Sequence, residues 1–411
     1  MVKLSTAPVR LLVNRQLGLL WIGQVISQTG DSVYQIGLLW LMLELTGKKS
    51  LTGLAAASLF LPTLLFGLPA GVVVDRTSKR RLMIGADALR ACLVLSIPIG
   101  YAAGVITPLF LGLITFAVAS CAAVFNPSRD ALVPRLAESR ELPHANALIQ
   151  TSWQLAILLG PAVAAIVLST TGIIHLFTFD AMTFLVSLVA ILAIGRTTPL
   201  RGAAPEAPVH SMFDQLREGL SYVGKDPMMR MLIFITAIDN LILMGPAIVG
   251  TPILVREGLG LDDPRAYAWL QASLAGGMVI GAPFMATVGR RLPLGKTVMA
   301  GIILDGLTFA PFFFVTTLRA AIIVLFVHSF FIPLITVSRT TLVQRYVPTK
   351  LHGRMFSVIG VCVVGGTAVS AALTGLAAEY LPIQKIYLLA GLGAAATALP
   401  GFFSKELRRA T

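Results

Sequence analysis

Long apolar runs, separated by short polar segments, recur along the whole chain and constrain its fold more than any other feature. A helix that crosses a bilayer needs about 20 mostly apolar residues, and it satisfies its own backbone hydrogen bonds where water is absent. The runs fall near residues 16–44, 51–74, 82–104, 107–128, 146–168, 172–194, 228–254, 266–288, 297–317, 319–338, 355–379 and 384–403. We therefore predict an all-α integral membrane protein with about twelve transmembrane helices.

The composition excludes a water-soluble fold of this length. Hydrophobic residues make up 56% of the 411 residues, charged residues make up only 12%, and the mean hydropathy is +0.84. Cys92, Cys121 and Cys362 lie in apolar runs and form no CxxC pair, so we interpret them as packing residues rather than as a disulfide or metal site. The N-terminal residues lack the pattern of a signal peptide, and we expect the first span to target the chain.

One long polar stretch, residues 195–227, divides the runs into six and six. Its first half is rich in Pro, Ala and Gly, and its second half repeats apolar residues on one helical face. These residues are Met212, Phe213, Leu216 and Leu220. We expect residues 1–194 and 228–411 to form two six-helix bundles, joined by a cytoplasmic linker that contains an interfacial helix.

Basic residues are distributed unequally among the segments that join the runs. If both termini are cytoplasmic, six of the 32 Lys and Arg residues lie in outward loops and Arg90 lies inside a span. The six are Lys48, Lys49, Arg256, Arg265, Arg319 and Lys385. Because cytoplasmic loops carry the excess of Lys and Arg, we expect a multi-pass protein of the bacterial inner membrane with both termini cytoplasmic. This distribution also accounts for the net charge of +13, so we expect no nucleic-acid partner.

An eight-residue segment occurs twice in similar form. SRDALVPR at residues 128–135 is matched by SRTTLVQR at 338–345, and each segment ends a span, the fourth and the tenth. The segment thus recurs after six helices, which is typical of transporters built from two parallel repeats. The acidic residues Asp31 and Asp239, in the first and seventh runs, fit the same duplication.

A compact motif, GVVVDRTSKRR at residues 71–81, follows the second run. We predict that it forms part of a cytoplasmic gate. Gly71 would permit close approach of two helices, and Asp75 would accept hydrogen bonds from a helix terminus or an Arg. Arg76, Lys79 and Arg80 would contact headgroups and acidic groups across the gate. A simple basic loop would explain these three residues but not an acid at the membrane edge.

This motif resembles the GxxxDRxGRR/K signature of the major facilitator superfamily, with Ser78 and Lys79 where the signature has Gly and Arg. FNPSRDALVPRL and VPTKLHGRMFSV resemble its exporter branch, which includes enterobactin and macrolide efflux proteins and lysophospholipid transporters. The resemblance implies a twelve-helix carrier of two bundles that works by alternating access, commonly driven by an ion gradient. One departure is LLGPAVAA at residues 158–165, which keeps the Gly-Pro of the antiporter signature but has alanine in place of the glycines that follow.

Ionisable residues inside the spans are the candidates for binding a coupling ion, because a charge in lipid needs a partner, water or a function. The candidates are Asp31, Asp239, Asp305 and His328. A structural hydrogen bond is the alternative for each of them. We expect Asp87 and Arg90, one helical turn apart, to neutralise each other, and Asp180 to make a polar contact within its span.

Two further groups of residues are candidates for gating and for cargo binding. Arg129, Asp130 and Arg339 lie at the cytoplasmic ends of their spans, where ion pairs with Asp75 or Asp130 could form and break; headgroup anchoring is the alternative. Polar and aromatic residues at helical spacing would suit an amphipathic cargo, with interfacial packing as the alternative. They are Gln24, Gln28, Tyr34, Gln150, Trp153, Gln154 and Asn240.

The chain contains no GxSxG, HExxH or CxxC motif, and LPLGKT has Arg290 where a phosphate loop has its first glycine. We expect no enzymatic activity, cofactor or metal site. Our leading hypothesis is proton-coupled efflux of an amphipathic small molecule such as a drug or siderophore. A lysophospholipid transporter and a non-transporting receptor or scaffold are the alternatives. The expected partners are this cargo or a lysolipid, a proton or sodium ion, and membrane lipids, with the protein acting as a monomer.

Overall fold

Helices account for all the regular secondary structure in the computed structural model of the protein, which describes residues 14–138, 141–195, 212–288 and 292–410. This result confirms the all-α prediction, since helices satisfy every backbone group of a chain in lipid. The helices of the described residues, in chain order, are α1 (Arg15–Thr46), α2 (Lys49–Arg76), α3 (Lys79–Ala102), α4 (Pro108–Leu132), α5 (Leu142–Thr170), α6 (Ile174–Ala193), α7 (Met212–Lys225), α8 (Pro227–Gly245), α9 (Pro264–Val288), α10 (Leu294–Phe309), α11 (Leu318–Tyr346), α12 (His352–Tyr380), α13 (Ile383–Thr397), α14 (Leu399–Phe403) and α15 (Lys405–Arg409).

Within the described residues, eleven helical segments are long and apolar enough to cross a membrane. The expected first span, α1, is not among them, although its 32 residues exceed the length that a bilayer requires. Polar side chains, among them Gln24, Gln28 and Asp31, interrupt its apolar sequence.

The helices group into two compact units. The first unit contains the described part of residues 1–38 and 65–209, and the second contains residues 39–64 with the described part of 210–411. The end of α1 and the first half of α2 therefore group with the second unit, whereas chain order alone assigns them to the first bundle. The division into bundles at residues 194 and 228 stays a prediction.

Glycines bring α1 close to two neighbouring helices of the first unit. A Cβ atom on Gly30 would overlap the side chains of Thr183 and Asp180 on α6. A Cβ atom on Gly160 of α5 would overlap the side chain of Ser32. Small residues permit such close packing where lipid supplies no hydrophobic driving force. α3 packs on α4 and α6 to complete the core of this unit.

The second unit uses the same kind of contact. A Cβ atom on Gly281 of α9 would overlap the main chain of Phe330 on α11. Gly306 of α10 and Gly391 of α13 stand opposite each other, with a Cβ on Gly391 lying 2.6 Å from the Gly306 carbonyl oxygen. α8 packs along α12 in the same unit. Backbone proximity, rather than large interlocking side chains, thus sets these helix spacings.

The duplication is visible in the helices that carry the repeated segment. α4 and α11 both begin after a threonine N-cap, Thr107 and Thr317, and each threonine side chain accepts a hydrogen bond from a main-chain N–H three residues later. Ser128 and Ser338, near the other end of these helices, are both fully buried. The N-caps and the serines are offset by the same number of residues in the sequence, which agrees with a parallel repeat.

The seventh predicted run is irregular at its second half. After α8 the chain forms two π-helical turns, Pro246–Gly250 and Leu254–Gly258, on either side of a short α-helical turn. Pro246 has no N–H to donate, which favours a departure from the α pattern. The N–H of Gly245 donates to Ser370 Oγ of α12 at 2.7 Å, so α12 satisfies a backbone group at the irregularity.

The linker helix α7 docks on the N-terminal part of α12. A Cβ atom on Gly219 would lie 2.8 Å from the carbonyl oxygen of Arg354 and 2.8 Å from the side chain of Val358. The Arg354 guanidinium pairs with the carboxylate of Glu218. A close contact at glycine and an adjacent ion pair therefore hold α7 against α12 within the second unit.

The packed face of α7 differs from the predicted apolar face. Val223 is buried, and Leu216 packs against the core of the second unit. Leu220, which was expected on the same face, is 52% exposed. The side chains of Met212 and Phe213 lie outside the described residues. The contact is centred on glycine, which a search for apolar side chains cannot detect.

Candidate functional site

A chain of polar side chains crosses three helices of the first unit. Arg129 Nη1 donates to Gln24 Oε1 at 3.1 Å, and Gln28 Nε2 donates to the same oxygen at 3.4 Å. Ser152 Oγ of α5 lies 2.9 Å from Gln28 Oε1 and donates to it. Because these residues lie on α4, α1 and α5, a movement of one helix against the others must break or replace a hydrogen bond.

One end of this network is an ion pair within α4. Arg129 donates from Nε at 2.9 Å and from Nη2 at 2.8 Å to Asp130 Oδ1. The Asp130 side chain is 63% exposed, whereas that of Arg129 is 14% exposed. Of the predicted gating residues, these two are paired with each other, and Arg129 is also tied to the predicted cargo residue Gln24.

Carboxylates from three helices of the first unit lie within electrostatic reach of Arg90. Arg90 Nη2 bonds to Asp87 Oδ1 at 2.5 Å, which agrees with the expected neutralisation. Its guanidinium carbon lies 4.4 Å from the ring centroids of both Phe125 and Phe184. Asp31 of α1 and Asp180 of α6 interact with the same arginine and with each other. Asp31 is therefore not an isolated acid.

Two other predicted cargo groups have contrasting surroundings. Tyr34 is 3% exposed, its hydroxyl lies 2.8 Å from Thr115 Oγ1, and its ring packs edge-on against another aromatic ring. These contacts support a packing role in this conformation. On α5, by contrast, Gln150, Trp153 and Gln154 are all exposed. They form a mixed polar and aromatic stripe, and Ser152 faces the opposite side.

The second unit holds a further pair of buried polar residues on α8. Asp239 is 6% exposed, and its Oδ1 has no hydrogen-bond partner in the described part of the chain. Its charged neighbours are Asp305 and Arg339. Asn240 donates from Nδ2 to the carbonyl oxygen of Thr236 at 2.9 Å, within its own helix. Within this unit, Arg339 of α11 thus lies near Asp239, a partner that sequence reasoning missed.

Asp305 and His328 were predicted separately, and the structure brings them together. His328 Nδ1 bonds to the Asp305 carbonyl oxygen at 3.1 Å, while its distance to Asp305 Oδ1 is 3.4 Å. That carboxylate oxygen is buried without a hydrogen-bond partner of its own among the described residues. The Phe309 ring covers the imidazole, with centroids 4.8 Å apart. Both side chains are buried, where a charge on either residue is costly.

The motif residues at the junction of α2 and α3 have mostly local partners. Lys79 Nζ donates to the carbonyl oxygen of Asp75 at 3.3 Å, and Asp75 and Arg76 are exposed. A Cβ atom on Gly71 would meet no atom of the described residues within 4 Å. The expected reason for this glycine, close approach of another helix, is therefore wrong for this conformation.

Arg80 has a structural role that sequence reasoning missed. Its Nε donates to the carbonyl oxygen of Ile191 at 3.0 Å, and its Nη2 donates to that of Leu192 at 2.7 Å. These carbonyl groups lie in the last turn of α6, where the Ile194 N–H also donates to the carbonyl oxygen of Ile191 at 3.3 Å. Arg80 therefore caps α6 and interacts favourably with its dipole.

The second unit also contains polar contacts at the start of α2 that no sequence pattern indicated. Lys49 Nζ lies 2.6 Å from Glu257 Oε2 in the second π-helical turn. Ser50 donates from N and from Oγ to Glu379 Oε1 of α12, both at 2.8 Å. Lys49, Glu257 and Glu379 line a cavity of about 280 Å³ together with Gln384. The partners are more than 200 residues apart, and none lies in a motif.

One turn further along α2, its backbone lies close to the backbone of α12 at two glycine residues. A Cβ atom on Gly53 would lie 2.6 Å from the carbonyl oxygen of Ala371 and 2.9 Å from Gly375 Cα, and a Cβ atom on Gly375 would meet Gly53 equally closely. The contact of the first half of α2 with α12 thus combines backbone proximity with the polar contacts of Ser50. Among the described residues, no group of three or more His, Cys, Asp or Glu side chains could hold a metal ion.

The chain matches a known protein family and known proteins along most of its length. The family described as "Transmembrane secretion effector" matches residues 5–409. Macrolide efflux protein A of Streptococcus pyogenes is 24% identical over 382 residues, which cover 90% of this chain and 91% of that protein. Multidrug efflux pump Tap of Mycobacterium tuberculosis is 27% identical over 295 residues, covering 69% of this chain and 68% of that protein.

Solved structures share the fold. The nucleoside transporter NupG superposes with a TM-score of 0.75 at 13% identity, covering 96% of this chain and all of that chain. A bacterial homologue of the iron transporter ferroportin in an inward-facing state superposes with a TM-score of 0.74 at 15% identity, covering 94% and 98% of the two chains. At these identities the likeness concerns the architecture alone.

Proposed function

The chain belongs to the transmembrane secretion effector family of the major facilitator superfamily, and from this premise we propose that it exports an amphipathic small molecule in exchange for protons. The family consists of multi-pass membrane transporters of small molecules and not of enzymes. The cargo class, the coupling ion and the direction are our proposal. So are the inner-membrane location, the cytoplasmic termini, which rest on the distribution of Lys and Arg, and a monomeric carrier.

One observation carries the proposal, namely that each unit holds carboxyl groups buried inside its spans. In the first unit the buried Asp87 and Asp180 share a single arginine with the partly exposed Asp31. In the second unit the buried Asp305 lies beside His328 with a carboxylate oxygen that has no hydrogen-bond partner among the described residues. A purely structural acid in lipid would be expected to have its hydrogen bonds satisfied. Acids that are incompletely paired in apolar helices can bind a proton from one side and release it on the other.

The polar network of the first unit supplies the proposed link between the coupling site and the gate. Arg129 connects the cytoplasmic end of α4 to Gln24 on α1, seven residues before Asp31 and on the same helical face. A change of charge at Asp31 would therefore act on the helix whose hydrogen bonds hold Arg129. Alternating access requires such a two-state element.

The cargo proposal rests on the exposed stripe of α5 and on the relatives. Gln150, Trp153 and Gln154 offer hydrogen bonds beside an aromatic surface, which suits a bulky molecule with polar and apolar parts. Relatives named macrolide efflux protein and multidrug efflux pump match most of this chain. A macrolide is therefore the first cargo to test.

The test is transport by the purified protein in liposomes, with a radiolabelled macrolide and an imposed pH gradient. We expect uphill macrolide movement driven by the gradient, and a loss of at least tenfold in Asp31→Asn and Asp305→Asn. Asp263→Asn is the matched control. The Arg265 hydrogen bond holds the pKa of this loop carboxyl below its usual range, so the variant removes an ordinary surface ion pair and should transport normally.

Two outcomes would contradict the proposal. If labelled lysophospholipid moves and the macrolide neither moves nor releases protons, the protein is a lipid transporter. If neither compound moves and binding of the macrolide is unchanged in Asp31→Asn and Asp305→Asn, a receptor or scaffold role replaces transport.

A further inference from the structure

Asp180 on α6 is a fully buried acid that the proposed mechanism has not used. Its exposure is 0%, and its Oδ2 has no hydrogen-bond partner in the described part of the chain. Its other oxygen, Oδ1, lies 3.3 Å from Thr183 Oγ1 and is directed at Gly30 of α1, where the absence of a side chain leaves room for it. The carboxyl group therefore points at the residue that precedes Asp31.

Asp180 belongs to a cluster of ionisable groups from three helices. Its members are Asp31 and Tyr34 on α1, Asp87 and Arg90 on α3, and Asp180 itself on α6. Three of them are carboxyl groups, and the cluster contains one permanent positive charge. If all three acids were ionised, two negative charges would stand uncompensated among apolar helices, which is strongly unfavourable.

Arg90 forms a direct ion pair with Asp87. The bonded atoms are 2.5 Å apart, and two phenylalanine rings flank the guanidinium at 4.4 Å. The same arginine attracts Asp31 and Asp180 electrostatically, without a direct ion pair among the described residues. Asp31 and Asp180 are then the two carboxyl groups that lack a bonded cation. Asp31 is partly exposed, whereas Asp180 is sealed from solvent.

We propose that Asp31 and Asp180 together bind one exchangeable proton, with Asp180 as the buried acceptor and Asp31 as its connection to water. The proton leaves water at Asp31, forms an O–H bond with a carboxylate oxygen of the pair, and returns to water when that bond ionises. Gly30 is the positioning residue, because any side chain there would displace Asp180. This inference rests on the proposed proton coupling and extends it by placing the proton site inside the first unit, away from the exposed stripe of α5.

The direct test is infrared difference spectroscopy of the purified full-length protein during a pH titration. Carboxyl groups that bind a proton show a C=O stretching band, and labelling with 13C-aspartate shifts the bands of aspartic acids. We expect an aspartic acid band that titrates in the native protein, is lost in Asp180→Asn, and returns at a shifted frequency in Asp180→Glu. A titrating band that is unchanged in Asp180→Asn would overturn the proposal.

Two further measurements test the proposal if one variant fails to fold and distinguish the proton from sodium. If Asp180→Asn fails to fold, the same band is followed in Asp31→Asn, where its midpoint must shift or the band must vanish; an unchanged band and midpoint refute the pairing. Titrations in sodium chloride and in choline chloride are compared on the native protein. Equal midpoints are expected, and a midpoint that moves with sodium concentration assigns the site to sodium instead of the proton.

Transport measurements separate this inference from the proposed function. In liposomes, exchange of labelled for unlabelled macrolide needs no net proton movement, whereas uphill transport does. We expect Asp180→Asn to retain exchange and to lose at least tenfold of the pH-driven uphill rate. If Asp180→Asn retains pH-driven uphill transport, the proposed role of Asp180 is refuted but the proposed function of the protein is not. Absence of any macrolide movement in the native protein refutes the proposed function, while the infrared result still decides the proton site.

Discussion

At the scale of single residues, glycines matter most where a neighbouring side chain or backbone occupies the space a Cβ would need. Gly30 faces Thr183 and Asp180, whereas Gly85 of α3 has open space around its Cα. We expect Gly30→Ala to lower stability by about 1–3 kcal/mol because it overpacks the α1–α6 contact. Gly85→Ala should be neutral or stabilise by up to about 1 kcal/mol, since alanine favours a helix. Thermal unfolding of the purified proteins measures both, and equal melting temperatures would contradict the packing argument.

At the scale of secondary-structure elements, helix ends depend on side chains from other helices. Arg80 caps α6, although its position in a motif suggested a gate. We expect Arg80→Gln to destabilise the protein by about 1 kcal/mol, because two carbonyl groups lose a charged donor. The control is Arg76→Gln in the same motif, where the side chain is exposed. Thermal unfolding distinguishes them, and a similar loss in both variants would show that Arg80 acts only as a basic loop residue.

The docking of α7 on α12 gives a second prediction at this scale. We expect Gly219→Leu to displace α7, since its side chain would collide with the Arg354 main chain. Trypsin should then cleave after Arg217 and Lys225 several-fold faster. Gly224→Leu is the matched control, because a Cβ atom there would meet no atom of the described residues within 4 Å. Unchanged cleavage in Gly219→Leu, or equal acceleration in both variants, would exclude the glycine contact as the fastening point.

At the scale of the whole molecule, transport by alternating access requires large contacts that form and break. The contact of the first half of α2 with α12 is a suitable one, because Gly53 and Gly375 bring the two backbones together and Thr52 is completely buried there. In a variant whose native cysteines are replaced, we expect Thr52→Cys to react slowly with a maleimide. Adding Gly375→Leu should accelerate the reaction by about tenfold, since leucine separates the helices.

The matched control for this experiment lies in the same helix. A Cβ atom on Gly360 of α12 would meet nothing within 4 Å, so Gly360→Leu should leave the reactivity of Thr52→Cys unchanged. Acceleration by both substitutions would indicate general loosening of α12 instead of a specific contact. Fast labelling of Thr52→Cys without any further change would show that this contact is mostly open in solution.

Much of the architecture follows from local patterns, whereas the candidate site follows from them only in part. The helices, the residue types inside them and the Asp87–Arg90 pair were predictable, since each depends on composition or on a spacing of one turn. Asp180 was expected to make an ordinary polar contact, and its approach to Gly30 was not foreseen. The pairing of His328 with Asp305 was missed as well, although both residues were candidates.

The amino-acid sequence by itself determined that this chain forms apolar helices and that an eight-residue segment repeats in its two halves, and it predicts that the basic residues favour one side of a membrane. Each of these properties depends on residues that are close together in the sequence, so it can be recognised without knowledge of the fold. Only the tertiary structure decided the partners, such as Gln24 for Arg129, the α6 carbonyls for Arg80 and Glu257 for Lys49. Whether a hydrogen bond or ion pair forms depends on the donor–acceptor distance to within a few tenths of an ångström. The packing of helices that are far apart in the sequence sets this distance.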